Sequence, residues 1–125
     1  MVNRNMIWVT VEKEGFHYWP EAPIEVSFLR RPHRHIFKFK IYINILHNDR
    51  EIEFFIFKKF IEKCIENIWT VNGLYSWNRC KPMSCEMIGD ELSIVINKKY
   101  PKRNMMIEVS EDGENGSYQK YEFES

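Results

Sequence analysis

One long segment of alternating residues constrains the fold of this chain more than any other feature. The segment runs from His33 to about Leu46. One set of alternate positions is mostly apolar and holds His35, Phe37, Phe39, Ile41, Ile43 and Ile45, whereas the other set holds Lys38, Lys40, Tyr42 and Asn44. Because strand side chains alternate between two faces, this pattern predicts a β-strand with one packed face and one polar face.

The same alternation places His33 and His35 on one side of the predicted strand. Two imidazoles on one face, with a third from a neighbouring strand, give the three-nitrogen set of a catalytic zinc site, which leaves a fourth position for water or substrate. His17 lies on an earlier extended segment and is predicted to supply the third nitrogen. The alternative is that His33 and His35 are strand histidines near a basic turn without a metal, and that His17 belongs to an aromatic edge.

The remaining pattern predicts a single α+β domain over residues 1–125, with strands before and after a pair of helices. Its predicted elements are a strand over Met6–Trp19, an extended piece over Ile24–Leu29, a helix over Ile52–Ile68, a loop over Val71–Pro82, a second helix from the N-cap Ser84 to before Pro101, and strands over Met105–Ser110 and Ser117–Phe123 joined by the turn Glu111–Gly116. We therefore expect an antiparallel four-stranded sheet with two helices on one face.

Composition limits the classes of function. The chain has 18 lysine plus arginine and 18 aspartate plus glutamate residues, so its formal net charge of 0 predicts neither a nucleic-acid nor a membrane partner. No stretch approaches the roughly 20 apolar residues of a membrane-spanning helix, and the start of the chain does not read as a signal peptide. Cys64, Cys80 and Cys85 form no CxxC pair, which argues against a disulfide scaffold and predicts a cytoplasmic location.

Four stretches between Phe16 and Tyr118 occur in the order and spacing of one known family. They are Phe16-His17; His33-Arg34-His35-Ile36-Phe37; Ile52-Glu53-Phe54-Phe55-Ile56-Phe57-Lys58; and Ser84-Cys85-Glu86-Met87-Ile88-Gly89 together with Val109-Ser110-Glu111-Asp112 and Gly116-Ser117-Tyr118. In these stretches the chain resembles the 6-pyruvoyl-tetrahydropterin synthase and 6-carboxytetrahydropterin synthase family, whose members adopt the tunnelling fold (T-fold, ββααββ). Arg34 stands where the family's zinc strand has glycine.

The resemblance implies zinc bound by His17, His33 and His35, and a substrate heterocycle held by Glu111, with Glu86 beside it. A carboxylate can accept two parallel N–H bonds from the 2-amino-4-oxo-pyrimidine edge of a pterin or guanine-like ligand. The implied activity is that of a 6-carboxytetrahydropterin synthase-like lyase acting on a dihydroneopterin-triphosphate-like substrate, in the queuosine or biopterin branch. The implied assembly is a homohexamer. The alternatives are a solvated acidic turn for Glu111 and a partner of the helix dipole for Glu86.

Two departures from the family concern proton transfer. Residues 26–32 hold no counterpart of the family's reactive cysteine, and Leu29 stands closest to its place. Residues 67–80 hold no counterpart of the Asp-His pair that activates this cysteine. The predicted candidates for the base are Cys80, which is flanked by two basic residues, and His47, which would reach the site from a neighbouring subunit. The alternatives are that Cys80 is a loop cysteine and His47 a turn histidine, each without a role. The alternative function is a non-catalytic binder of a guanine-like nucleotide or pterin.

Overall fold

A computed structural model describes residues 3–71, 74–75 and 83–123. The described elements in chain order are β1 (Met6–His17), a 3-10 helix (Ile24–Arg30), β2 (His33–Asn44), α1 (Phe54–Ile68), a short hairpin of β3 (Thr70–Val71) and β4 (Leu74–Tyr75), α2 (Cys85–Lys99), β5 (Met105–Glu111) and β6 (Asn115–Tyr121). The main sheet has the strand order β1-β2-β5-β6, and all its neighbours are antiparallel. The predicted α+β class with the order ββααββ is therefore confirmed.

The core lies between this sheet and the two helices. The predicted packed face of β2 is buried, and Phe37, Phe39, Ile41 and Ile43 are at most 2% exposed. Helix α1 packs against β1, and α2 packs against β5 and β6. Burial of each large apolar side chain contributes roughly 1.5–3 kcal/mol. The apolar set of alternate residues in β2 therefore determines which face of the sheet packs against the helices.

Both helices begin at side chains that accept hydrogen bonds from the first helical turn. Glu53 accepts from the backbone N–H groups of Phe55 and Ile56, which explains why α1 begins later than the predicted Ile52. The predicted N-cap Ser84 accepts from the N–H of Met87 at 3.1 Å. Neither helix in the described part of the chain is long and apolar enough to cross a membrane.

Three local predictions were wrong. The segment predicted as extended forms the 3-10 helix Ile24–Arg30, which starts after Pro23 with a turn closed by the Val26 N–H donating to the Pro23 carbonyl. The predicted loop after α1 includes the short hairpin β3–β4. The predicted turn from Glu111 is shorter, because Asp112 and Gly113 adopt positive φ values of 58° and 72° and reverse the chain tightly. Glu111 therefore belongs to β5.

Candidate metal centre

The three predicted zinc histidines meet at one end of the main sheet. Antiparallel pairing sets His17, the last residue of β1, opposite His33, the first residue of β2. His35 follows two residues later on the same face. The ring centroids are 4.5 Å apart for His17 and His33, 5.2 Å for His17 and His35, and 5.1 Å for His33 and His35. The pairing register thus brings together all three rings.

Glu111 is the fourth polar group at this end of the sheet. It pairs with Phe37 of β2, on the face that carries the core and the histidines. Its Oε2 atom lies 2.8 Å from Nε2 of His17 and 3.8 Å from Nε2 of His35. One potential ligand atom from each of these four residues lies within 4.8 Å of the others. The cluster of His17, His33, His35 and Glu111 could therefore hold a metal ion.

Each histidine uses its Nδ1 atom in a contact with an oxygen. The pairs are His17 with the Met83 carbonyl at 3.0 Å, His33 with the Arg31 carbonyl at 2.9 Å, and His35 with Oδ2 of Asp112 at 2.7 Å. Because carbonyl and carboxylate oxygens only accept, the hydrogen in each pair belongs to Nδ1. A neutral ring with Nδ1–H has its lone pair on Nε2, so three Nε2 lone pairs remain for a ligand.

His17 is the most buried of the three histidines. Burial is the largest influence on the pKa of its ring and lowers it. The neighbouring His33 and His35 also lower this pKa, whereas the Met83 carbonyl and Glu111 raise it. Its Nε2 atom is buried and makes no hydrogen bond within the described residues, although Glu111 is 2.8 Å away. When the ring is neutral with its hydrogen on Nδ1 and the carboxyl is ionised, neither atom of that pair carries a proton, and the contact in that state is not a hydrogen bond.

These donors fit a zinc ion. Neutral imidazole nitrogen and carboxylate oxygen are ordinary zinc ligands, and metal-bound histidines usually donate their other N–H to an oxygen. In a tetrahedral site with bonds of about 2.0–2.1 Å, the ligand atoms lie about 3.3 Å apart. The separations of 2.8 Å between His17 and Glu111 and 3.8 Å between His35 and Glu111 lie on either side of that value, and a cation between His17 and Glu111 would satisfy the buried lone pair.

An apolar floor fixes the rings from the core side. The Phe37 ring lies 5.1 Å from the His17 ring, and the Trp69 ring lies 5.1 Å from the Phe37 ring. The fully buried Trp69 donates from Nε1 to the Phe16 carbonyl at 2.8 Å. Its indole also covers Gly15, where an added Cβ would lie 2.5 Å from Cε2 of Trp69. Only glycine therefore allows this close approach of the tryptophan to β1.

A cleft of about 550 Å³ opens beside the cluster. It is lined by His17, Tyr18, Trp19, Leu29, His33, Met83, Ser84, Cys85, Glu86, Met87, Glu111, Asn115 and Gly116. Both carboxylates predicted to contact a heterocycle, Glu86 and Glu111, thus line one cleft. Leu29, at the place of the family's cysteine, lines it as well.

Cys85 brings a thiol to this cleft that the sequence did not single out as reactive. Burial, helped by the negative charges of Glu111 and Glu86, raises the pKa of this thiol to about 12. The thiol is therefore protonated at neutral pH, and a protonated thiol is a poor nucleophile. Cys85 is a free, buried cysteine at the first position of α2.

The two predicted candidates for the base lie elsewhere. His47 is exposed beyond the opposite end of β2, where its Nδ1 accepts from the Asp49 N–H at 3.2 Å. Since β2 has 12 residues and a strand rises about 3.3 Å per residue, His47 lies on the order of 30 Å from the cluster of its own chain. Cys80 falls outside the described residues.

Comparison with known proteins finds no protein-family model that matches the chain and no curated relative. Function is therefore inferred from the geometry of the metal centre and its cleft.

Proposed function

We propose that this protein is a zinc-dependent enzyme of the pterin type, similar to 6-carboxytetrahydropterin and 6-pyruvoyl-tetrahydropterin synthases. Its proposed substrate is a dihydroneopterin-triphosphate-like compound of the queuosine or biopterin branch. The observation that supports the proposal is that one potential ligand atom from each of His17, His33, His35 and Glu111 lies within 4.8 Å of the others, beside the cleft. The Nδ1 atom of each histidine is in contact with an oxygen, which leaves Nε2 for a ligand.

The chain's own residues divide the task between metal and heterocycle. His17, His33 and His35 hold the metal, which when bound supplies a Lewis acid for a substrate hydroxyl or carbonyl. Tyr18 and Trp19 line the cleft with aromatic surface for a planar ring system. The cleft volume of about 550 Å³ lies in the range of small-molecule sites. A carboxylate of this cleft accepts the N–H groups of the pyrimidine edge.

A second function is favoured by the state of the proton-transfer groups. Among the residues that the structure describes, the thiol in the cleft is Cys85, whose pKa of about 12 keeps it protonated. His47 lies at the far end of its strand. We therefore propose, as the alternative, a non-catalytic binder of a pterin or guanine-like nucleotide, which binds its ligand in the cleft without turnover.

We also propose that the protein assembles as a homohexamer of stacked trimers. Within the described residues, β1 and β6 each pair on one side only, and open strand edges favour pairing with another chain. Trp8 on β1 and Phe55 at the start of α1 are 52% and 77% exposed, and both line one surface groove. Light scattering coupled to size-exclusion chromatography measures the mass directly, and a monomer would contradict the proposal.

The test of function combines metal content with product analysis. Protein expressed with ample zinc and dialysed should retain about one zinc per chain, and His33→Ala and His35→Ala variants should lose it. His47→Ala is the matched control and should retain it. Less than about one zinc per three chains in the wild-type protein would end the metal proposal. Incubation with dihydroneopterin triphosphate then separates the two functions, because the enzyme forms a tetrahydropterin product and the binder returns the substrate unchanged.

A further inference from the structure

We propose that Glu111 is the fourth ligand of the metal, and that Asp112 and Asn115 hold this half of the centre in position. All three residues belong to the β5–β6 hairpin and its turn. The inference rests on the proposed metal site and specifies its coordination. It assigns Glu111 to the metal, whereas the family resemblance assigns this residue to the heterocycle.

The two oxygens of Glu111 face different partners. Oε1 accepts a hydrogen bond from Nδ2 of Asn115 at 2.9 Å, and Asn115 is also the register partner of Glu111 across the hairpin. Oε2 points into the cluster, 2.8 Å from Nε2 of His17 and 3.8 Å from Nε2 of His35. A carboxylate oxygen that faces two nitrogen lone pairs is repelled unless a cation lies between them. The amide of Asn115 thus fixes the orientation in which Oε2 serves as a ligand.

Asp112 orients a second ligand from the same turn. Its Oδ2 accepts from Nδ1 of His35 at 2.7 Å, and its Oδ1 accepts from the backbone N–H of Ile36 at 2.9 Å. The backbone N–H of Asp112 donates to the Ile36 carbonyl at 2.8 Å. Asp112 makes all three contacts with a positive φ of 58°. This carboxylate therefore sets both the tautomer and the direction of the His35 ring, as outer carboxylates do in metal sites.

Each of the four ligands consequently has one polar atom bound elsewhere and one directed at the cluster. Four protein ligands complete the tetrahedral coordination of zinc, whereas a three-histidine site keeps one position for water. A ligand entering the cleft must displace Glu111 to reach the metal. The carboxylate that remains in the cleft for a heterocycle is Glu86.

The test measures zinc affinity by competition with a chromophoric chelator. Glu111→Gln should weaken zinc binding at least 10-fold, and Asp112→Asn about 10–100-fold. Glu114→Gln is the matched control, because Glu114 lies in the same turn but is exposed and contacts Glu111 only through its backbone N–H. Its zinc affinity should equal that of the wild type within about twofold, and circular dichroism in chelator verifies that each variant is folded.

Cobalt substitution of the wild-type protein gives an independent reading that needs no variant. A three-histidine site with bound water changes its Co(II) spectrum as the water ionises near pH 7, whereas a site closed by Glu111 keeps one spectrum from about pH 6.5 to 8.5. Two results would overturn the fourth-ligand assignment alone. In the first, the wild type binds zinc and Glu111→Gln binds it with unchanged affinity. In the second, the Co(II) spectrum of the wild type shifts with pH. A wild-type protein that binds no zinc would overturn the proposed metal-dependent function as well.

Discussion

Replacement of Glu111 by glutamine is expected to stabilise the metal-free protein even though it weakens the metal centre. Asn115 already donates to Oε1, so the carbonyl oxygen of a glutamine keeps that position and its amide nitrogen takes the position of Oε2. That position is 2.8 Å from Nε2 of His17, which is buried and has no hydrogen bond within the described residues. The substitution therefore supplies the missing donor.

The expected gain follows from one new buried hydrogen bond. Such a bond contributes about 0.5–1.5 kcal/mol net, and loss of the repulsion between Oε2 and the lone pair acts in the same direction. We expect the free energy of unfolding in chelator to rise by about 1 kcal/mol, which corresponds to about 3–6 °C in melting temperature for a domain of this size. Burial keeps the pKa of His17 below its ordinary value, so the prediction applies at pH 8, where the ring is neutral.

Urea and thermal unfolding of wild type, Glu111→Gln and the Glu114→Gln control measure this effect. The control should lie within about 0.5 kcal/mol of the wild type. With saturating zinc the order should reverse, because a zinc affinity at least 10-fold weaker removes about 1.4 kcal/mol or more of ligand stabilisation.

One result in chelator would refute the reasoning. If Glu111→Gln loses more than about 1 kcal/mol at pH 8, His17 is protonated at Nε2 and forms an ion pair with Glu111. The Nε2 lone pair of His17 would then not be available to a metal.

Three further predictions concern the surroundings of the centre and the rest of the fold. Gly15→Ala places a Cβ 2.5 Å from the buried Trp69 and should cost about 1–3 kcal/mol in urea unfolding, and a loss below about 0.5 kcal/mol would contradict the packing described. Glu51→Gln breaks a pair in which Arg103 donates at 2.8 and 3.0 Å, and should cost about 2–4 kcal/mol near pH 7. Arg103 lowers the pKa of Glu51 in the folded protein. The stability from this pair is therefore present above the unfolded pKa near 4.5 and is lost as the pH falls through the lower folded pKa, so the difference in unfolding free energy between wild type and variant should shrink in acid. Cys85, with its pKa of about 12, should resist iodoacetamide in the native protein at pH 8 and react after unfolding, and rapid native labelling in peptide mass spectrometry would contradict its burial.

Local periodicity in the sequence determined the main elements of the fold. The alternation along β2 predicted its buried face, and the pattern over Ile52–Ile68 predicted the helix α1. These predictions succeed because the backbone geometry of strands and helices sets which side chains share a face. For the same reason, His33 and His35 were predicted to lie together. In α2, by contrast, Met87 and Val95 are exposed while Gly89 and Ser93 are buried, so apolar residues alone do not mark the inward face of this helix.

Tertiary structure alone decided how the metal centre is completed. The sequence pattern placed Glu111 in a turn, and only the register of β5 against β2 brings its carboxylate to His17. Met105, Ile107 and Val109 occupy alternate positions that include Glu111, so the sequence could have indicated the face of Glu111, but not its distance from any histidine. The oxygens that fix the ring tautomers come from 66 residues away for His17 and 77 for His35. Such contacts depend on how separate elements pack together, and local backbone geometry carries no information about them.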